Sequence, residues 1–210
     1  MSIAFYFFRH LFLVPGFWIV GWVAGCTQPP KSTIHRLPSK IALVPLNESD
    51  SSALNYLQQH LPSHLPLQVQ IWPALSIPHH ALHPVRRQYL ADSLLTWLKA
   101  LVQEGMGLMA VTGVDITTTG GNPAGYGTLG LGFRPGCISV VSDYRLNAAH
   151  RPDSIRHHML LKIALHELGH NAGLPHCNTP TCYMQEVEKR GNWEALHSFC
   201  SLCQNKIRVP

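Results

Sequence analysis

Eleven consecutive residues constrain this chain more than any other feature: His166-Glu167-Leu168-Gly169-His170-Asn171-Ala172-Gly173-Leu174-Pro175-His176. Residues i and i+4 of an α-helix share a face, so the helix that carries His166 and His170 can aim both imidazoles at one ion. Gly173 can take the positive φ that ends such a helix and turns the chain back, returning His176 as a third ligand. Three neutral imidazoles leave a fourth position on zinc for water, which separates a catalytic site from a closed structural one. Glu167 follows the first ligand, where its carboxylate can take a proton from a water that the metal has made acidic.

The rest of the chain supplies a core around that helix. Residues 41–46 and 67–72 are short apolar runs bounded by Pro and polar residues, and both read as strands, with a short helix over 51–60 between them. Pro84 suits the first turn of a longer helix in which Leu90, Leu94, Trp97, Leu98 and Leu101 recur at helical spacing until Gly105. Residues 108–116, 129–133 and 137–142 read as three more strands, the last two separated by the turn Arg134-Pro135-Gly136. Before 129 lies a loop with Gly120, Gly121, Pro123, Gly125 and Gly127, a candidate wall for a cleft. Asp153 or Ser154 can cap the histidine-bearing helix, whose inward stripe runs Ile155, Met159, Ile163, His166, His170. A last helix is expected over 193–205. The remaining histidines, among them His79, His80, His83, His157 and His158, do not share the ligand spacing and are expected on surfaces or loops.

The composition, 46% hydrophobic and 13% charged, is that of a globular chain, and 210 residues are enough for one sizeable core. The net charge of +5 is spread without a basic run, so nucleic acid is not an expected partner. The first residues stand apart: Arg9 and His10 precede an apolar run over 11–24, which Pro15 interrupts. It is too short for a membrane helix and fits an export signal over 1–25. The tetrad Val23-Ala24-Gly25-Cys26 resembles the lipobox of bacterial lipoproteins, which implies a lipid on Cys26, a membrane-anchored protein of the cell envelope, and a tether over 26–38 rich in proline. The folded domain is then 39–210.

The other cysteines extend the metal motif. Cys177 follows His176, Cys182-Tyr183-Met184 comes after four intervening residues, and Cys200-Ser201-Leu202-Cys203 follows after a spacer of fifteen. This pattern, HExxHxxGxxHC, four residues, CxM, a spacer and CxxC, resembles that of the archaemetzincins, a branch of the metzincin zinc metalloproteases. The spacer is slightly shorter here than in the family, which touches loop length more than ligation. The resemblance implies an α+β fold of the zincin type, α/β-like in its N-terminal part: a twisted mixed sheet, a backing helix, an active-site helix and a small cysteine-rich C-terminal subdomain. It also implies a second, structural zinc on Cys177, Cys182, Cys200 and Cys203, making two ions per chain. Four thiolates neutralise the ion and leave no open position, although two disulfides are the competing reading for an exported protein. Cys137 is left over, as a buried strand residue. Met184 resembles the Met-turn methionine, an apolar floor beneath the catalytic ion.

By the same resemblance, Ile138, Ser139, Val140, Val141 and Ser142 would form the edge strand on which an extended peptide is added by main-chain pairing. The expected activity is zinc-dependent hydrolysis of peptide bonds in a peptide or protein substrate by a monomer. The alternative is a zinc-stabilised binding or scaffold lipoprotein with a vestigial protease site.

Overall fold

A computed structural model describes residues 35–47, 49–119, 127–186 and 193–210. The proposed signal, Cys26 and most of the tether lie outside these, as does most of the glycine-rich loop. Among the described residues no helix is long and apolar enough to cross a membrane.

Seven strands occur in order: β1 (Lys40–Leu46), β2 (Gln68–Ile71), β3 (Tyr89–Leu90), β4 (Met106–Thr112), β5 (Ile116–Thr117), β6 (Gly130–Gly132) and β7 (Ile138–Ser142). Five make one sheet in the order β2-β1-β4-β7-β6, while β3 and β5 form a separate parallel pair. The pairs β1·β2, β1·β4 and β4·β7 are parallel and only β6·β7 is antiparallel. Parallel strands are covered on both faces, and β1, β4 and β7 are accordingly almost continuously apolar and buried.

Alternation along these strands divides the core in two. Ile41, Leu43, Met109, Val111 and Val141 face α1 (Ser51–His60) and the long helix, while Ala42, Val44, Leu108, Ala110, Ile138 and Val140 face α2 (Ala91–Leu98). A short α3 (Tyr144–Ala148) leads into α4 (Asp153–Asn171), the helix of the histidine motif, and α5 (Ser201–Gln204) lies near the C-terminus. The first helix starts where Asp50 accepts a hydrogen bond from the Ser52 N–H at 2.9 Å, an N-cap that satisfies one of the donors a helix start leaves open.

The expected mixed α+β architecture is present, with local differences. The helix expected from Pro84 begins only at Ala91, because Tyr89 and Leu90 are taken up as β3 against Ile116 and Thr117. The helix expected over 193–205 is broken: Trp193–Ala195 is a single 3-10 turn, Ser198 bridges Cys182 in extended conformation, and α5 follows. Ile155, placed on the inward stripe, is exposed. His157 is buried instead, its Nε2 3.2 Å from an Asp50 carboxylate oxygen.

Candidate metal centre and active site

The end of α4 sets the site. Gly173 has φ +91°, the Gly173 N–H donates to the His170 carbonyl at 2.8 Å, and the Leu174 N–H donates to the Gly169 carbonyl at 2.9 Å. This is a Schellman ending, in which left-handed backbone lets the chain double back over its last turn. The reversal has a second product: the Leu174 carbonyl pairs with His170 Nδ1 at 2.9 Å. His166 Nδ1 likewise donates to the Tyr183 carbonyl at 2.7 Å. With both Nδ1 atoms committed to carbonyls, both rings present Nε2 to the site, because a hydrogen bond at one ring nitrogen fixes which nitrogen is left to bind. His176 Nδ1 lies 3.9 Å from Glu186, on the exposed side. One ligand nitrogen from each of the three rings comes within 4.8 Å of the others. The ring centroids stand 4.6, 5.3 and 5.0 Å apart for the pairs 166–170, 166–176 and 170–176.

Burial keeps the His166 and His170 rings neutral. It pushes His166 down to about 3, with the neighbouring His170 adding to the effect against the Tyr183 carbonyl, and pushes His170 down to about 4. Neutral imidazole is the form that binds zinc, so the fold prepares these two donors before any ion arrives.

Glu167 is buried under β6. The register pairs Gly130 with Val141 and Gly132 with Ser139, which turns both glycines toward α4 and Leu131 toward the opposite core. A Cβ on Gly130 would stand 2.6 Å from Glu167 Oε1, and one on Gly132 would stand 3.0 Å from the Glu167 carbonyl. These glycines therefore let a strand pass directly over the carboxylate. Asn171 fastens the arrangement, because its side-chain amide donates to the carbonyls of Phe133 and Ile138 at 3.0 and 2.9 Å.

The expected substrate strand needs correcting. Ile138–Ser142 cannot be an edge, since it is hydrogen-bonded to β4 on one side and β6 on the other and is wholly buried. The antiparallel margin of the sheet is β6. Residues 129–133 read as a strand from the sequence, and the glycine at every second position is the signal that one face of it is crowded.

Beneath the histidines lies Met184, fully buried. A Cβ on Gly169 would overlap the Met184 sulphur, so the fixed glycine of the helix is what brings that side chain against α4. Tyr183 points its hydroxyl away from the histidines, donating to the His197 carbonyl at 2.7 Å, and serves the site through its backbone.

Cys177, Cys182, Cys200 and Cys203 form a second group. All four are free thiols whose sulphurs lie within 4.8 Å of one another, with Cys177 and Cys200 3.8 Å apart. Backbone N–H groups of Thr179 and Cys200 point at the sulphurs of Cys177 and Cys182, both at 3.4 Å. Burial pushes the Cys182 and Cys203 thiols up. At Cys200 burial acts in the same direction, but hydrogen bonds from the Cys203 backbone, Thr179 and the neighbouring thiols outweigh it and draw the thiol to about 6. Cys137 is buried ahead of β7 and belongs to neither group.

A histidine-bearing helix packed under a mixed sheet, its glutamate lying beneath an antiparallel margin, is the arrangement a zinc-dependent metallopeptidase requires. Comparison with known proteins narrows the class. Residues 58–209 match the model of peptidase family M54. The archaemetzincin of Archaeoglobus fulgidus is 31% identical over 175 residues, 80% of this chain and 99% of that one. That of Pyrococcus furiosus is 34% identical over 152 residues, 69% of this chain and 79% of the relative. The crystal structure of the A. fulgidus protein, complexed with malonate, superposes with a TM-score of 0.69 at 29% identity, covering 80% of this chain and 99% of that one. The Methanopyrus kandleri archaemetzincin gives a TM-score of 0.68 at 28% identity over 84% of this chain and 94% of that one. The chain belongs to peptidase family M54, the archaemetzincins.

Proposed function

We propose that this chain hydrolyses peptide bonds at one zinc ion held by Nε2 of His166 and His170 together with His176, with Glu167 as general base. The observation that carries this reading is the commitment of both Nδ1 atoms to carbonyls, which leaves two neutral donors aimed at one point beside a buried carboxylate. Zinc bound there would polarise the scissile carbonyl and make a water far more acidic. Glu167 takes the proton of the attacking water and later delivers it to the leaving amine. An extended substrate is added antiparallel along β6, where the two glycines bring its scissile bond next to Glu167. Pairing through the main chain selects for a peptide whatever its side chains.

A second zinc is held by the four cysteines. Four sulphurs about 2.3 Å from one ion stand about 3.8 Å from each other, whereas a disulfide brings two to about 2.05 Å. The Cys177–Cys200 separation of 3.8 Å favours the ion. With four thiolates the site has no open position and serves to staple the C-terminal segment.

The test is Glu167→Gln. The variant should retain the zinc content of the wild type and lose about 10²–10⁴-fold in peptide turnover. Full turnover would overturn the role of Glu167, and a wild-type protein with two zincs that cleaves no peptide would favour the scaffold reading. Elemental analysis with a thiol count checks the second ion: one zinc per chain with blocked thiols would make the cysteine group disulfides. We further propose export, anchoring through a lipid on Cys26, and action as a monomer. Wild-type protein partitioning into the aqueous phase of a detergent extraction as fully as Cys26→Ala would sink the anchor. Sedimentation reads the monomer.

A further inference from the structure

Lys162 is a buried charge for which the proposed mechanism has no use. It is 4% exposed, yet among the described residues no carboxylate pairs with its ammonium. Burial pushes its pKa down and the nearby Glu194 charge pushes it up. An unpaired buried ammonium is costly unless its donors are satisfied. Here two of them are, by main-chain carbonyls: Nζ donates to Trp193 O at 3.0 Å and to Glu194 O at 2.9 Å. Both acceptors belong to the 3-10 turn Trp193–Ala195, where the chain settles on α4 again after leaving Met184.

Spacing decides what this contact does. Lys162 and His166 are four residues apart on α4 and so share a face. The turn covers that face with both of its parts. Its carbonyls take the Lys162 ammonium, while the indole of Trp193 meets the His166 ring edge-on, 6.1 Å between centroids at 70°. His166 is thus held from two directions, by the Tyr183 carbonyl at Nδ1 and by Trp193 against the ring.

We infer that Lys162 is a positioning residue of the metal centre: its ammonium fixes the turn that presses Trp193 against His166. The inference rests on the metal-site reading above. It assigns the lysine no contact with substrate or ion; the lysine acts through the tryptophan.

The test measures the affinity of the histidine site by chelator competition for zinc and by the visible absorption of the cobalt-substituted protein. Lys162→Met keeps the stem and removes the donors. It should weaken metal binding by up to about tenfold, at the low end of the about 10–100-fold cost of losing a group hydrogen-bonded to a ligand, and shift the cobalt bands. Lys162→Arg, which retains donors and charge, should recover most of the affinity. Trp193→Leu should show a similar loss with Lys162 intact. The double variant should bind no more weakly than the worse single one, because both changes break one chain of contacts. Wild-type affinity and unshifted bands in Lys162→Met would overturn the inference even if its melting temperature fell, and so would losses that add in the double variant. Should Lys162→Met fail to fold, Trp193→Leu decides alone, and wild-type affinity there refutes the proposal. His166→Ala separates the two readings: unchanged affinity in that variant would remove the metal site itself, whatever Lys162 does.

Discussion

Replacing Gly169 by alanine should destabilise this protein, although the same exchange inside most helices stabilises them. Alanine gains about 1 kcal/mol over glycine in a helix interior. At Gly169 the new methyl would overlap the Met184 sulphur and stand 3.2 Å from Met184 Cε and from Phe199 Cε1. Met184 is fully buried and Phe199 nearly so, which leaves little room for either to retreat. Forcing a methyl into such a core costs about 1–3 kcal/mol, and because the thioether of Met184 can move only by displacing other buried groups the upper half of that range applies. The net is a loss of about 1–2 kcal/mol, which in a chain of this size lowers the melting temperature by roughly 2–8 °C. Thermal denaturation followed by circular dichroism on the zinc-loaded protein reads this directly. The variant Met184→Ala should lose about 2–5 kcal/mol by opening a cavity, and Gly169→Ala added to it should cost less than it does alone, since the methyl then enters empty space. A Gly169→Ala protein that melts higher than the wild type would refute the packing argument, and so would strict additivity with Met184→Ala.

Gly130→Ala should cut peptide turnover at least about tenfold, with zinc content retained, because the added Cβ would stand 2.6 Å from Glu167 Oε1 and displace the proposed base; equal turnover would show that β6 gives way freely. Asn171→Ala leaves the part-buried Phe133 carbonyl without its side-chain donor, while the Ile138 carbonyl keeps the Phe133 N–H at 3.1 Å, and at about 1–3 kcal/mol for one unsatisfied group it should lower stability by about that much in urea denaturation. In the zinc-free protein, stability should fall with acid. The histidines 166 and 170 have folded values of about 3 and about 4 against an ordinary 6.5, so the unfolded chain takes up protons first. Their contribution is complete above pH 6.5 and is lost as pH falls from there toward the folded values. Urea midpoints that stay flat between about pH 7 and about pH 5 would contradict this.

The metal motif was legible because helical spacing is a local property: four residues separate His166 from His170 in any α-helix, and a glycine that allows positive φ is readable from its identity. The α1 helix was legible on the same local grounds, expected over 51–60 and found there, although its Asp50 cap was not singled out. Strand order was not. The apolar runs of β4 and β7 announce burial on both faces without naming neighbours, and the need for glycine at 130 and 132 arises from Glu167, far along the chain. A lysine in a helix ordinarily reads as solvated, so the buried place of Lys162 follows only from the turn at Trp193 that covers it. The same holds for His157, drawn inward by Asp50 from the other end of the domain. The break between Trp193 and α5 came from pairing too, since Ser198 is held extended by its bridge to Cys182.

Cys182, Tyr183 and Met184 are consecutive, yet one gives its sulphur to the thiol group, the next its carbonyl to His166, and the third its side chain to the floor of α4. The Cys177 N–H closes the loop by donating to the Met184 carbonyl at 2.7 Å. Ordering this short stretch for one of the two proposed ions would therefore order it for the other, and by thermodynamic reciprocity each would strengthen the other's binding equally. Under zinc scarcity half-filled molecules would then be rarer than independent sites allow, and the scarce metal would collect in complete molecules rather than spread over partly filled ones.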